Sequence, residues 1–257
     1  MKLFDAHCHL PESRIDSMLE RAAAAGVEGM AVCGTSSNDW NAVLNVAESF
    51  PTFEKTEGCR LSLLPMIGIH PWFVPANWEE SLPLMRKLLV DFPELGIGET
   101  GLDFQTRFLN CSEQEACFAA HLDLARELNR PVAVHCVQAW GRLIGILREH
   151  PAPKILLHAF GGAVELIPEL TELNCWFSFC GNVTNPKAKR VRAAAAAVPA
   201  GRLLIETDSP DFPPAGCDAP NEPANLIHVA RAVAELRGVP VEEIAELTFD
   251  NALKLFS

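Results

Sequence analysis

The nine cysteines include no Cys-x-x-Cys pair. An odd number of thiols without paired spacing argues against a disulfide framework and fits free thiols in a reducing compartment. No apolar run approaches the roughly 18 residues that a membrane helix needs. The N-terminus lacks the basic segment, apolar core and cleavage site of a secretory leader. A soluble, cytoplasmic protein is therefore expected. Positive charge is scarce, with 21 Lys+Arg against 33 Asp+Glu and a net charge of −12. Such a surface repels nucleic acid at long range, so phosphate binding needs a local positive source such as metal ions. No stretch has the composition of a disordered tail. The turn after the first predicted strand has no glycine, which disfavours an open doubly wound sheet with a Gly-rich first turn.

What is present is a sustained alternation of apolar strand-length runs and helix-forming segments. Hydrophobic residues make up 49% of the 257 positions, enough for a sizeable core. Strands are predicted near the start of the chain and over 27–33, 61–69, 95–98, 131–135, 154–158, 174–179 and 203–206. Helices are predicted over 16–25, 40–49 (capped by Asn38 or Asp39), 78–91, 112–128, 140–149, up to 173, over 186–197, 222–237 and 242–255. Residues 50–60, with proline and glycine, read as a loop. Eight strand–helix units without a linker or a change of composition predict one domain, 1–257, folded as a (β/α)8 TIM barrel.

The polar residues sit where such a barrel carries chemistry, at the C-terminal ends of the strands. His7-Cys8-His9 closes the first strand; in a strand the two histidines share a face and Cys8 points away. Glu99 closes the fourth, His135 the fifth and His158 the sixth, and Asp208 follows the eighth. One such histidine alone is most simply a satisfied polar residue at the barrel mouth. Six ionisable groups converging on one mouth are costly without a cation. Six ligands also exceed the four of a closed structural zinc site and suit two divalent ions sharing one carboxylate. The donor set suits Zn²⁺, Mn²⁺, Fe²⁺, Co²⁺ or Ni²⁺ better than Mg²⁺. His121, His150 and His228 fall in or beside helices and read as helix or surface residues. Asp5 and Glu206 each precede a ligand by two positions, which fits either ring-orienting carboxylates or hydrogen bonds within the barrel.

These stretches resemble the TatD-type metal-dependent hydrolases, a branch of the amidohydrolase-like barrels. The resemblance is carried by Asp5-Ala6-His7-Cys8-His9-Leu10, Gly68-Ile69-His70-Pro71, Gly98-Glu99-Thr100-Gly101-Leu102-Asp103, residues 131–135, Leu157-His158-Ala159-Phe160-Gly161-Gly162, Ile205-Glu206-Thr207-Asp208-Ser209-Pro210 and Asn221-Glu222-Pro223. It implies that His7, His9 and Asp208 hold one ion, that His135 and His158 hold the other, and that Glu99 bridges them. It also implies metal-dependent hydrolysis of phosphodiester bonds, with deoxyribonuclease activity. On the two readings together, Asp208 is the expected general base for an activated water and His70 a phosphate donor or leaving-group acid; a loop-fixing role for His70 beside Pro71 is the simpler alternative.

The sequence departs from that family in its loops. Cys136-Val137-Gln138-Ala139, Ala159-Phe160-Gly161-Gly162 and Gly216-Cys217-Asp218-Ala219-Pro220 replace segments that are often polar or basic. DNA or an oligonucleotide remains the first expectation for the substrate. A small ester, lactone or amide is the second, and a non-enzymatic metal-loaded partner subunit the third. The residual basic features are Arg107 and the run Lys187-Ala188-Lys189-Arg190-Val191-Arg192, each either a phosphate contact or a solvated surface. The protein is expected to act as a monomer away from membranes.

Overall fold

Eight parallel strands form the wall of a barrel in this computed structural model, which describes residues 1–11, 14–49, 53–54, 60–105 and 110–257. In chain order the elements are β1 (Leu3–Cys8), α1 (Ile15–Ala24), β2 (Val27–Cys33), α2 (Trp40–Ser49), β3 (Phe53–Glu54), β4 (Arg60–Ile67), α3 (Leu82–Asp91), β5 (Gly96–Asp103) and α4 (Cys111–Leu128). There follow β6 (Pro131–Val137), α5 (Trp140–Glu149), β7 (Lys154–Leu157), α6 (Ile167–Glu172), β8 (Cys175–Phe179), α7 (Lys189–Ala197), β9 (Leu203–Ile205), α8 (Leu226–Arg237) and α9 (Val241–Phe256). The wall runs β1-β2-β4-β5-β6-β7-β8-β9, all parallel, and β3 pairs antiparallel with β4 outside it. The expected barrel is therefore present. The segment read as a loop over 50–60 holds β3 and the first residue of β4, and its other positions lie outside the described residues, as does Arg107. Among the described residues no helix is long and apolar enough to cross a membrane.

The wall closes between its first and last strands. Asp208 N–H donates to His7 O at 3.0 Å, and His9 N–H to Ser209 O at 2.7 Å. Asp5 Oδ1 accepts the Thr207 N–H at 2.8 Å, and its other oxygen accepts the Thr207 hydroxyl. Asp5 makes no hydrogen bond to a histidine ring among the described residues. Of the two roles open to it, it fills the structural one, because its strand end faces β9 rather than the cavity.

Inside the wall lie Phe4, Ala6, Ala31, Cys33, Met66, Ala133, Leu156 and Leu204, and α9 seals the N-terminal end with Ala252 and Leu255. Phe4 stacks on Phe256 with ring centroids 5.5 Å apart. Outside it, the helices bury one stripe each; α5 does so with Leu143, Ile144, Ile146 and Leu147, the spacing of one helical face. Gly238, with φ 66°, ends α8 in the left-handed conformation that favours glycine.

His121 lies in α4, as its sequence reading allows, but it is fully buried rather than at the surface. Its Nε2 accepts the Ile69 N–H at 3.2 Å while its Nδ1–H donates to Cys117 O at 2.7 Å. Burial pulls this ring down to about 4. An unfolded histidine titrates near 6.5, so between about 6.5 and 4 the unfolded chain binds the extra proton. Stability is then lost as pH falls through that window, by about 3 kcal/mol from this group. Denaturant melts of the wild type and of His121→Gln should diverge in pH slope over that range. Parallel slopes would remove the assignment.

Candidate metal centre

The strand ends bring His7, His9, His70, Glu99, His135, His158 and Asp208 around one space. β5 extends through Glu99 to Asp103, further than the strand predicted over 95–98, so Glu99 lies within the wall. This is possible because Gly101 has no side chain. It sits at φ 138°, and a Cβ there would lie 2.1 Å from His135 O on the neighbouring strand. Asp208 adopts φ 53°, a left-handed conformation that aspartate tolerates better than most residues.

Glu99 is the centre of the arrangement, and its two oxygens face different partners. Oε2 lies 3.3 Å from His7 Nε2 and 3.1 Å from His9 Nε2. Asp208 Oδ1 completes that side, 3.7 Å from His7 Nε2 and 4.0 Å from His9 Nε2. Oε1 lies 3.0 Å from His135 Nδ1 and 2.8 Å from His158 Nε2. His70 Nε2 is also 3.1 Å from Oε1.

The far nitrogen of each ring decides what the near one can do. His9 Nδ1 lies 2.8 Å from Cys33 O, an acceptor, so in the neutral ring Nδ1 carries the proton and Nε2 the lone pair. His135 Nε2 lies 3.3 Å from Asp103 Oδ2, which leaves Nδ1 free on the Glu99 side. His7 Nδ1 rests against Cys33 Sγ at 3.3 Å, with Nε2 facing the cavity. His158 Nδ1 is turned towards Glu206 Oε1 at 3.7 Å, beyond hydrogen-bond reach, so the bonds that Glu206 makes are those within the barrel. Glu206 is itself held by the Ala159 N–H at 2.6 Å and the Ser178 hydroxyl. His70 is the exception. Its Nδ1 accepts the Trp72 N–H at 3.1 Å, so its Nε2 carries the proton and points a donor at Glu99.

Burial pushes a carboxyl up, yet the His158, His70 and His135 rings outweigh it and hold Glu99 well below its usual range. Burial likewise disfavours charge on His158 and His9. Glu99, with Asp208 beside it, more than offsets this, raising His158 well above its ordinary value and His9 to about 9. His7 is lowered, by burial first and by His158 second. Burial also raises Asp208. The carboxylates thus draw protons onto neighbouring rings because the space demands positive charge. Free imidazole lone pairs, paired carboxylates and that demand together fit divalent cations.

Asp103 ends the motif that begins at Gly98, and its role is not legible in the sequence. It lies two alternation steps after Glu99 in β5 and so turns to the same side. Trp72 Nε1–H donates to its Oδ2 at 2.6 Å, and Gln105 N–H to its Oδ1 at 3.1 Å. Burial opposes its ionisation, but bonds to His135, Trp72 and Gln105 bring it down to about 2. Carboxylates that orient ligand histidines are worth about 10–100-fold in metal affinity. Titration calorimetry of Asp103→Asn with Mn²⁺ should show a loss of that size; unchanged affinity would exclude the role.

The mouth above Glu99 is a cavity of about 600 Å³ that includes Thr35, Trp72, Phe73, Gln105, Cys136, Asn182 and Phe212 in its lining. Of the basic run, Lys187, Lys189 and Arg190 are exposed around the start of α7, whereas Arg192 donates to Val183 O at 2.9 Å. His150 bonds Asp123 at 3.0 Å and His228 is exposed; both lie away from this lining.

A TIM barrel with histidines and carboxylates gathered at its C-terminal mouth has the architecture of the metal-dependent hydrolase barrels. The chain belongs to the TatD related DNase family, which it matches over residues 4–257. It is 34% identical to the uncharacterized metal-dependent hydrolase YcfH of Escherichia coli K12, covering 100% of this chain and 96% of that protein. It is 32% identical to the 3'-5' ssDNA/RNA exonuclease TatD of Klebsiella pneumoniae, covering 99% of this chain and 97% of that protein. The crystal structure of YjjV, a TatD homologue from Escherichia coli, superposes with a TM-score of 0.90 at 29% identity, covering 99% of this chain and 97% of that one.

Proposed function

We propose that this protein is a divalent-metal-dependent phosphodiesterase that hydrolyses DNA or oligonucleotides, with a binuclear centre bridged by Glu99. The observation that carries this reading is the division of labour within Glu99. One oxygen faces His7 and His9, and the other faces His135 and His158. His7, His9 and Asp208 would hold one ion, and His135 and His158 the second. Bound divalent ions would supply Lewis-acid stabilisation of developing negative charge and a lowered pKa for water.

The remaining steps fall to side chains. Asp208 takes the proton of the attacking water as general base, a role its raised affinity for protons favours. His70 carries its only ring proton on Nε2, because the Trp72 N–H occupies its other nitrogen, and would turn that proton from Glu99 Oε1 to a phosphate oxygen when substrate binds. Asp103 keeps the ring of His135 turned inward.

Metal-stripped protein reloaded with Mg²⁺, Mn²⁺ or Zn²⁺ should shorten an end-labelled single-stranded oligonucleotide, and chelation should stop it. Silence with every ion, with two ions shown bound, would transfer the proposal to a small ester, lactone or amide. That second reading is favoured by one observation. Among the described residues lining the cavity there is no lysine or arginine. A panel of small esters run beside the oligonucleotide separates the two.

A further inference from the structure

Seven large apolar side chains are exposed among the described residues, and three of them are aromatic: Trp72 at 43%, Phe73 at 52% and Phe212 at 47%. All three line the cavity above Glu99. The other four, Met1, Leu84, Val90 and Leu253, do not. Aromatic surface left in water costs free energy, and its concentration on one rim marks a surface kept for a ligand.

The three rings come from two loops. Trp72 and Phe73 follow β4, in the short turn after His70, and their rings flank the His70 ring at centroid distances of 4.9 Å and 5.8 Å. Phe212 follows β9, four residues after Asp208. In the wall, β2 and β1 separate β4 from β9 on one side and four strands separate them on the other. The rings therefore reach the mouth from two different sectors, one beside the expected phosphate donor and one beside the expected base.

Phe212 is held in place at a cost. Its φ is 49°, a left-handed conformation that a bulky residue rarely adopts. The Asn221 amide supports it, donating to Asp211 O at 2.9 Å and to Phe212 O at 3.3 Å. Strain of this kind persists where the surroundings impose it, and it clusters at ligand sites. Asn182 Oδ1, on the same lining, is buried with no hydrogen-bond partner among the described residues.

We propose that Trp72, Phe73 and Phe212 form a stacking platform for the base next to the scissile phosphate, so that the substrate is selected by an unpaired nucleobase rather than by cationic contacts to its backbone. The inference rests on the phosphodiesterase reading of the same site. A flat base finds π-faces beside the phosphate donor, whereas the described residues of the lining offer its phosphates no lysine or arginine. A paired base inside a duplex has no free face to offer. Stacking of one base on aromatic side chains is worth about 5–150-fold in affinity.

The test compares two oligonucleotides that differ only in the terminal residue, one bearing a base and one carrying an abasic tetrahydrofuran. In metal-loaded wild type, kcat/KM should favour the base-bearing end by about tenfold or more. In Phe73→Ala and Phe212→Ala that ratio should fall by about tenfold, mainly through KM. Leucine at the same positions keeps apolar bulk without a π-face and should lose the ratio as alanine does, whereas tryptophan should restore it. A ratio that stays within about twofold of wild type in all these variants overturns the platform. Titration calorimetry of dAMP against deoxyribose 5-phosphate separates this failure from that of the underlying reading. Preference for dAMP, lost in the phenylalanine variants, with no oligonucleotide cleaved, keeps the platform and removes the nuclease. Cleavage without base preference does the reverse.

Discussion

Glu99→Gln abolishes turnover, by about three orders of magnitude or more, and releases metal from both sides of the centre together. The reason is the shared carboxylate. Glutamine keeps the shape but turns one oxygen into a donor, which must then face either His7 and His9 or His135 and His158. An amide nitrogen has no lone pair to give a cation, so whichever side it faces would lose a ligand, and the neutral side chain would cancel less of the ions' charge. Metal content measured by plasma emission on dialysed protein should fall with activity. A variant that keeps two ions, or keeps turnover within about tenfold, would break the bridge assignment. The metal-free protein carries a matching signature. His9 titrates at about 9 when folded because of Glu99, against an ordinary 6.5 when unfolded. Its contribution to stability is therefore fully present below about 6.5 and is lost as pH rises through about 9. Glu99→Gln should flatten that limb of the metal-free melting profile.

Asp208→Asn is expected to lower kcat by about 10²–10⁴-fold, with KM little changed and metal largely retained. Asparagine offers a carbonyl oxygen in place of Oδ1, so the His7–His9 side keeps its fourth group. It cannot take a proton at neutral pH. The loss should therefore appear in kcat on saturating oligonucleotide, with plasma emission reporting bound metal in the same sample. Near-normal turnover would remove Asp208 as the base. Loss of metal in step with activity would make it a ligand only.

These residues show how far a sequence of this kind can be read. His7, His9, Glu99, His135, His158 and Asp208 were legible because barrel strands deliver side chains to one end, so residues at successive strand ends meet whatever their separation along the chain. The partition around Glu99 came from family resemblance; the structure gathers the six residues around one space. The tautomers were not legible. They depend on Cys33 O, Asp103 Oδ2 and the Trp72 N–H, contacts between strands and loops that no local pattern encodes. Asp5 was ambiguous for a related reason: two-residue alternation places it with His7, but pairing between β1 and β2 shifts register between Asp5 and Cys8. His121 read as an ordinary helix residue because burial of a polar ring depends on a partner, Ile69 N–H, supplied from a distant element.

The seam between β1 and β9 bears on how the molecule comes into being. Asp5 and Thr207 are 202 positions apart in the chain, yet they are bonded side by side. His7 and His9 leave the ribosome long before Asp208, which is made only after all eight strands of the wall. A nascent chain therefore carries two exposed imidazoles long before their carboxylate partner exists. The entropy of closing so long a loop is met only when the last strand docks. On the proposed ligand set, metal capture would be coupled to completion of the wall, and an ion bound across the seam would hold the first and last strands together by mass action.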